Sequence, residues 1–270
     1  NSVNNRFIEI IRSRGITTSN DQEKVNVLKK DAEKAILFFQ SAMDSLDQKQ
    51  YDSALEDALE GLRLDKRQYI FYYIIGRVKF DQEDYKGSIN AFDEYIKLND
   101  NNHLELIEGF TVYRLRGVSK AQTEDIEGGI KDLTKSIEID PNFENNYLIR
   151  GTMYFDTKCY KNALEDLNKV RKEDEKDEDL MQKIAYCKYY TKDYEGSAKD
   201  YIKLSEIAPE RNDYNYRNLA LSLMPLGRYA DALVYLEKSL KLDPENESTK
   251  RNMLKAMEKM KEGIETDEDN

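Results

Sequence analysis

A block of residues that returns at a nearly fixed interval is the feature that most constrains how this chain can fold. Each block opens with a large apolar or aromatic residue and has a small residue three positions later. Four positions after the small residue comes one that can pack against the neighbouring unit. The six blocks begin at Tyr51, Tyr85, Ile126, Tyr160, Tyr194 and Tyr229, at intervals of 34, 41, 34, 34 and 35 residues. Such a period is typical of stacked repeat proteins, in which each unit packs only on its neighbours.

A second pattern precedes each block and predicts that every unit is a pair of antiparallel helices. A large residue, aromatic in five of six cases, is followed four positions later by Gly or Ala, which places both on one helical face. The pairs are Phe38 with Ala42, Tyr72 with Gly76, Tyr113 with Gly117, Tyr147 with Gly151, Met181 with Ala185, and Tyr216 with Ala220. The matching small residues of the second helices are Ala54, Ser88, Gly129, Ala163, Ser197 and Ala232. We expect paired helices to cross at these small residues, where backbones can approach closely.

The layout resembles the tetratricopeptide repeat family, most clearly in YLIRGTMYFDTKCYKNALEDL and YRNLALSLMPLGRYADALVYLEKSLKLDP. The resemblance implies an all-α, right-handed solenoid of six helix pairs. The predicted repeats span residues 35–68, 69–102, 110–143, 144–177, 178–212 and 213–246. This chain departs from the family pattern by having no leading Trp in any unit, and by carrying Tyr95, Val170 and Leu204 at a third position that is usually small.

Segments outside the regular period predict helical additions at both ends. Residues 1–34 are interpreted as an N-terminal extension that includes the start of a long first helix ending near Asp47. The apolar residues within 3–13 would pack on the repeats, on a second copy of the chain or on a partner, so self-association through this segment stays open. Seven extra residues, 103–109, are expected to lengthen the first helix of the third unit, and 247–262 to form a capping helix before an acidic tail, 263–270.

The composition argues against several classes of function. A formal net charge of -11 disfavours nucleic acid as a partner. Cys159 and Cys187 are too few for a disulfide framework and suit a reducing, cytoplasmic location, although a targeting segment could be missing from this sequence. With His103 as the single histidine and no nucleotide-binding or hydrolase motif, we expect no metal, no cofactor and no enzymatic activity. The sequence also has no apolar run long enough for membrane insertion.

In the family that this chain resembles, the first helix of each unit lines a concave face, and ten of the residues that helical phase assigns to it here are the candidate binding residues. They are Tyr73, Arg77, Arg114, Thr152, Gln182, Lys183, Tyr186, Arg217, Asn218 and Leu221. Cationic and aromatic groups recur among them although the whole chain is acidic. We therefore predict that the face binds a peptide or helix of a protein partner that carries acidic groups. The alternative is that Arg77, Arg114 and Arg217 only form pairs with carboxylates of the chain itself.

One branch of the family grips the terminal carboxylates of chaperone tails with Lys, Asn and Arg side chains. The matching positions in the first three units hold Phe39, Met43, Ile74, Thr111 and Leu115, which cannot form that clamp.

The favoured function is thus a non-enzymatic adaptor or scaffold, resembling a co-chaperone without the clamp, within a larger assembly. A substrate-presenting region of a larger transferase, with its catalytic domain outside this chain, is the alternative. RNA binding is a weaker third interpretation, because it needs a basic groove.

Overall fold

Helices account for nearly all regular structure in the computed structural model, which describes residues 22–99, 109–170 and 177–268. Over these residues the chain forms thirteen α-helices and no strand, which confirms the predicted all-α architecture of helix pairs. The chain divides into two units at residues 146 and 147. The proposed repeat boundaries stay predictions.

The first unit contains three helix pairs. The helices are α1 (Gln22–Asp47), α2 (Tyr51–Leu64), α3 (Tyr69–Asp81), α4 (Tyr85–Leu98), α5 (Gly109–Gln122) and α6 (Ile126–Ile139). Each odd-numbered helix packs on the helix that follows it, and α3 and α5 also contact the preceding pair. One apolar core extends from α1 to α5, and Phe39, Phe71 and Ile74 are among its buried side chains.

The second unit contains three further pairs and a final single helix. The helices are α7 (Glu144–Asp156, which begins before the division), α8 (Tyr160–Leu167), α9 (Glu178–Tyr190), α10 (Tyr194–Ile207), α11 (Asn212–Leu223), α12 (Tyr229–Leu242) and α13 (Glu247–Glu268). Helix α13 packs on α12, with Ala256 fully buried and Met253 against the core of α10 to α12. Helix α13 thus covers the last pair, and it continues beyond the expected helix end at residue 262.

The small residues lie where the helices of each pair cross, as the spacing predicts. All twelve small residues of the two patterns are buried. A Cβ atom on Gly117 would stand 2.9 Å from the backbone oxygen of Gly129, and one on Gly151 would stand 3.0 Å from side-chain carbons of Leu167. Close approach of the two backbones therefore requires glycine or a residue nearly as small in these pairs.

The turn inside each pair contains one residue in the left-handed region of backbone space, two positions before the second helix begins. These residues are Lys49, Glu83, Glu124, Lys158 and Lys192, with φ between 59° and 71°, and Gly227, with φ of 74°. Three of the following residues, Asp84, Asp125 and Asp193, accept a hydrogen bond from a backbone N–H of the next helix. A left-handed residue followed by a cap therefore reverses the chain within each pair.

A buried ion pair joins the two helices of two pairs at equivalent positions. Arg116 contacts Asp132 at 2.6 Å, and Arg150 contacts Asp166 at 2.7 Å, 34 residues later. Asp200 occupies the next position of this period and binds Lys188 at 2.6 Å. Burial leaves these charges little water, so the pairing within each helix pair compensates for their lost hydration.

Several predicted irregularities can be located in the structure. Helix α1 ends at Asp47 as expected. All four prolines lie outside the α-helices, with Pro209 and Pro225 in short 3₁₀ turns. Residues 3–13 and the expected helix start near His103 lie outside the described residues. Over the part of the chain that the structure describes, every helix is too short or too polar to cross a bilayer.

Candidate functional site

Three of the predicted binding residues lie in the first unit, where each interacts with other parts of the chain. Tyr73 is only 5% exposed, and its ring lies 6.4 Å from that of Tyr95. Arg77 is half-buried, with its Nε 3.7 Å from a carboxylate oxygen of Asp81, one helical turn away. Arg114 places its guanidinium over the ring of Phe143, 5.3 Å from the ring centre. Tyr73 therefore packs inside the helix layer and does not present its ring at the surface.

Among the predicted residues of the second unit, Thr152 and Asn218 bond to the backbone of their own helices. The Thr152 hydroxyl donates to the carbonyl oxygen of Leu148 at 2.8 Å. Asn218 is 8% exposed, and its amide donates to the carbonyl oxygen of Tyr214 at 2.9 Å. Helical phase places Asn218 on the binding face, but in the structure its side chain is buried and its amide bonds within α11.

Five further predicted residues of the second unit, besides Thr152, have partly exposed side chains. They are Gln182, Lys183 and Tyr186 on α9, and Arg217 and Leu221 on α11. The guanidinium of Arg217 lies over the ring of Tyr214, 5.2 Å from its centre. Within the part of the chain that the structure describes, the guanidinium of Arg217 contacts an aromatic face and forms no ion pair with a carboxylate.

Tyr186 belongs to a group of four aromatic side chains, Phe155, Tyr160, Tyr186 and Tyr190, which we call the aromatic patch. Tyr186 lies 5.4 Å from Phe155, 5.7 Å from Tyr160 and 4.8 Å from Tyr190, measured between ring centres. Tyr160 and Tyr190 stack at 4.4 Å. The patch joins α7, α8 and α9, and Tyr190 is still 49% exposed.

The hydroxyl groups within the aromatic patch also interact. The Tyr186 hydroxyl donates to that of Tyr190 at 3.2 Å. Burial, followed by this hydrogen bond, raises the pKa of Tyr186. Tyr186 therefore stays uncharged at neutral pH, and the patch presents apolar ring surface beside the hydroxyl groups of its three tyrosines.

A pocket of about 210 Å³ lies between α9, α11, α12 and α13, and we call it the basic pocket. It is lined by Tyr189, Leu221, Met224, Pro225, Tyr229, Asn252, Lys255 and Lys259. Leu221 is the one lining residue that helical phase predicted. The Tyr189 ring lies 5.2 Å from that of Tyr190, so the basic pocket borders the aromatic patch.

Sequence reasoning missed most of the aromatic patch and of the basic pocket. Tyr186 and Tyr190 are four residues apart on α9, a spacing that could have indicated a shared face. The pocket residues of α13 gave no comparable signal, because residues 247–262 were interpreted only as a capping helix. Within the described residues, no group of three or more His, Cys, Asp or Glu side chains is arranged to hold a metal ion.

Comparison with known families agrees with the helix pairs and with their small residues at the crossings. Two models described as tetratricopeptide repeat match residues 69–102 and 214–246. The chain therefore contains tetratricopeptide repeats. A solved structure described as YrrB, a tetratricopeptide repeat protein with an unusual peptide-binding site, aligns with a TM-score of 0.56. At 18% identity, over 72% of this chain and 92% of that one, the likeness supports the fold alone.

Curated relatives of this repeat protein are longer and share only part of their length with it. A DnaJ homolog subfamily C member 7 homolog of Dictyostelium discoideum is 25% identical over 154 residues, 56% of this chain. The Hsp70-Hsp90 organizing protein 3 of Arabidopsis thaliana is 27% identical over 165 residues, 58% of this chain. In both cases the match covers 28% of the relative.

Proposed function

We propose that this tetratricopeptide repeat protein is a non-enzymatic adaptor that binds a segment of a protein partner on the exposed surface of its second unit. The observation that carries the proposal is the aromatic patch, in which four rings from three helices meet while Tyr190 remains half-exposed. Large rings held by their neighbours lose little conformational entropy on binding, and such residues dominate protein interfaces.

Polar groups beside the patch suit a partner that carries acidic residues. Gln182 and Lys183 lie one turn before Tyr186 on α9, and Arg217 projects from α11. In a chain with a net charge of -11, these cations would favour a matching acidic segment over other surfaces. Tyr73 and Asn218 contribute to packing in this proposal, Thr152 belongs to it only as a flanking position, and Arg77 and Arg114, which lie in the first unit, are not part of this surface.

The relatives support the class of function and leave the partner open. Some are named as organizing proteins of Hsp70 and Hsp90, and one neighbour as peptide-binding. The positions that would hold a carboxylate clamp are occupied by apolar or buried residues such as Phe39, Ile74 and Leu115. We therefore propose a co-chaperone-like or scaffolding role without that clamp, in the cytoplasm.

Affinity capture from the native source, followed by mass spectrometry, tests this proposal. Tyr190→Ser and Lys183→Glu should each reduce recovery of the specific partner by about tenfold or more, since central interface residues carry most of the binding free energy. Tyr190→Phe keeps the ring and should retain capture. Lys199→Glu changes an exposed lysine of α10 and serves as the charge-matched control.

The folded state of each variant is checked by circular dichroism before capture. If Tyr190→Ser and Lys183→Glu recover the same partners in wild-type amounts, the second-unit surface is not the binding site and the proposal fails.

A further inference from the structure

We infer that the basic pocket is an anchor site for an acidic segment of a partner protein, accepting one apolar side chain between flanking carboxylates. This inference rests on the proposed adaptor function and adds to it the chemistry of the bound segment. It also gives the last helix a direct role in binding, beyond covering the end of the repeats.

The interior of the basic pocket fits one apolar side chain. Its apolar part is made by Leu221, Met224 and Pro225, where α11 ends in a 3₁₀ turn. The volume of about 210 Å³ exceeds that of one large side chain and is far below that of a folded element. An inserted leucine or phenylalanine would lose water-exposed area against these residues, which favours binding.

The rim of the basic pocket supplies the charge that selects the flanking residues. Lys255 and Lys259 are four residues apart on α13, so both ammonium groups lie on one face of the helix. Lys255 is exposed and forms no ion pair with the described residues, whereas Lys259 pairs with Glu262. The described residues that line the pocket include these two cations and no acid. A segment with carboxylates on both sides of its anchor therefore complements the rim.

Neutral hydrogen-bonding groups complete the rim. The half-exposed side chains of Asn252, Tyr189 and Tyr229 line the same pocket. An amide and two hydroxyl groups can bond the main chain of an extended segment, which fixes its direction across the pocket.

The chain's own apolar segment is a poorer occupant than an acidic partner. Residues 3–13 contain Arg6 and Arg12 against a single acid, Glu9, so this segment carries the same sign of charge as the pocket rim. Electrostatic repulsion from Lys255 and Lys259 would oppose its docking there.

Isothermal titration calorimetry with blocked peptides tests the inference on the full chain. The probe is an acetylated and amidated heptapeptide with a central Phe and three Asp or Glu residues on each side. Two sibling peptides replace either the central Phe by Ala or every acid by its amide. We expect each sibling to bind at least about tenfold more weakly, because one loses the buried side chain and the other the charge-assisted contacts.

Variants of the rim show whether binding occurs at this pocket. Lys255→Glu should weaken binding of the probe by about tenfold, and Lys255→Ala should weaken it by about threefold. Lys259→Glu should also weaken binding. Lys199→Glu makes the same charge change on α10 and should leave affinity unchanged. Lys255 is exposed, so circular dichroism should show the same helicity and melting for all these variants.

The outcomes separate this inference from the proposed function. Equal binding of the Phe and Ala probes would reduce the effect to general charge attraction and overturn the inference. Equal losses of probe affinity in Lys255→Glu and Lys199→Glu would also overturn the inference. If Lys255→Glu binds the probe normally while Tyr190→Ser still loses the native partner, the anchor site is wrong and the adaptor function stands.

Discussion

Arg150 holds Asp166 through two hydrogen bonds, with Nε and Nη2 of the arginine donating to the two carboxylate oxygens at 2.7 and 2.8 Å. The bonded carboxylate raises the pKa of Arg150 above its usual value. The side chains are 14% and 4% exposed. The equivalent positions between α3 and α4 hold Ile75 and Ala91, so the same place in a helix pair can be filled by charges or by apolar groups.

Removing one charge of this pair should destabilise the second unit strongly. Asp166→Ala is expected to lower the free energy of unfolding by about 3–5 kcal/mol, since it removes a buried carboxylate that forms two hydrogen bonds with a largely buried arginine. Urea denaturation followed by circular dichroism measures the change. Asp231→Ala breaks the half-exposed pair with Arg228 and should cost less than about 1 kcal/mol.

The double variant Arg150→Ile with Asp166→Ala reproduces the apolar pair found at Ile75 and Ala91. It should regain most of the stability lost in Asp166→Ala, because neither buried charge remains. The same urea denaturation applies. A double variant as unstable as Asp166→Ala would show that packing volume, not the loss of the Asp166 carboxylate, causes the destabilisation.

At the turn positions with positive φ, replacing a residue by glycine and replacing the glycine by another residue should have opposite effects on stability. Lys158→Gly and Lys192→Gly should each stabilise the protein by about 0.5–1 kcal/mol, because a side chain is disfavoured at positive φ. Gly227→Ala should destabilise it by about 1 kcal/mol, although a Cβ there meets no atom within 4 Å. Thermal melting compares the three variants. A higher melting temperature for Gly227→Ala would contradict the argument from backbone strain.

The helix crossings predict an order among glycine substitutions. Gly117→Ala places a Cβ against a backbone oxygen that cannot rotate away, whereas Gly151→Ala meets side-chain atoms of Leu167, which can shift. We expect a loss of about 1–3 kcal/mol for Gly117→Ala and a smaller one for Gly151→Ala. Denaturant midpoints provide the comparison. The reverse order would mean that α5 and α6 separate more easily than α7 and α8.

The two cysteines should differ sharply in reactivity. Burial raises the pKa of the Cys187 thiol to about 12, and Cys159 is exposed. At pH 8 a thiol-specific chromogenic reagent should therefore modify one thiol per native chain, at Cys159, because the buried thiol is protonated and shielded. Both thiols should react in denaturant, and Cys159→Ser should abolish the native reaction. Rapid modification of two native thiols would disprove the assignment.

Local spacing was sufficient to predict the helix pairs, because Gly117, Gly151 and their counterparts act between helices adjacent in sequence. The same spacing could have revealed the ion pairs, since Asp132 and Asp166 stand one period apart. Helical phase alone places Asn218 near the surface, whereas in the structure its amide bonds to the backbone of α11.

The basic pocket could not be predicted in the same way. It depends on how α13 packs against residues such as Leu221 and Tyr189, which lie far from it in sequence. The capping helix lies outside the repeat period. The sequence therefore does not indicate which face of this helix contacts those residues, or that Lys255 lies beside them.

The stacking of Tyr160 on Tyr190 gives the molecule an intrinsic fluorescent probe. The chain contains 19 tyrosines and no tryptophan, so its intrinsic ultraviolet emission arises from tyrosine alone. A ligand that covers Tyr190 would alter the emission of the stacked Tyr160 and Tyr190 rings. The emission of a single tryptophan introduced elsewhere would be spectrally distinct from that of the tyrosines. Occupancy of the surface can thus be followed in solution without attaching a dye.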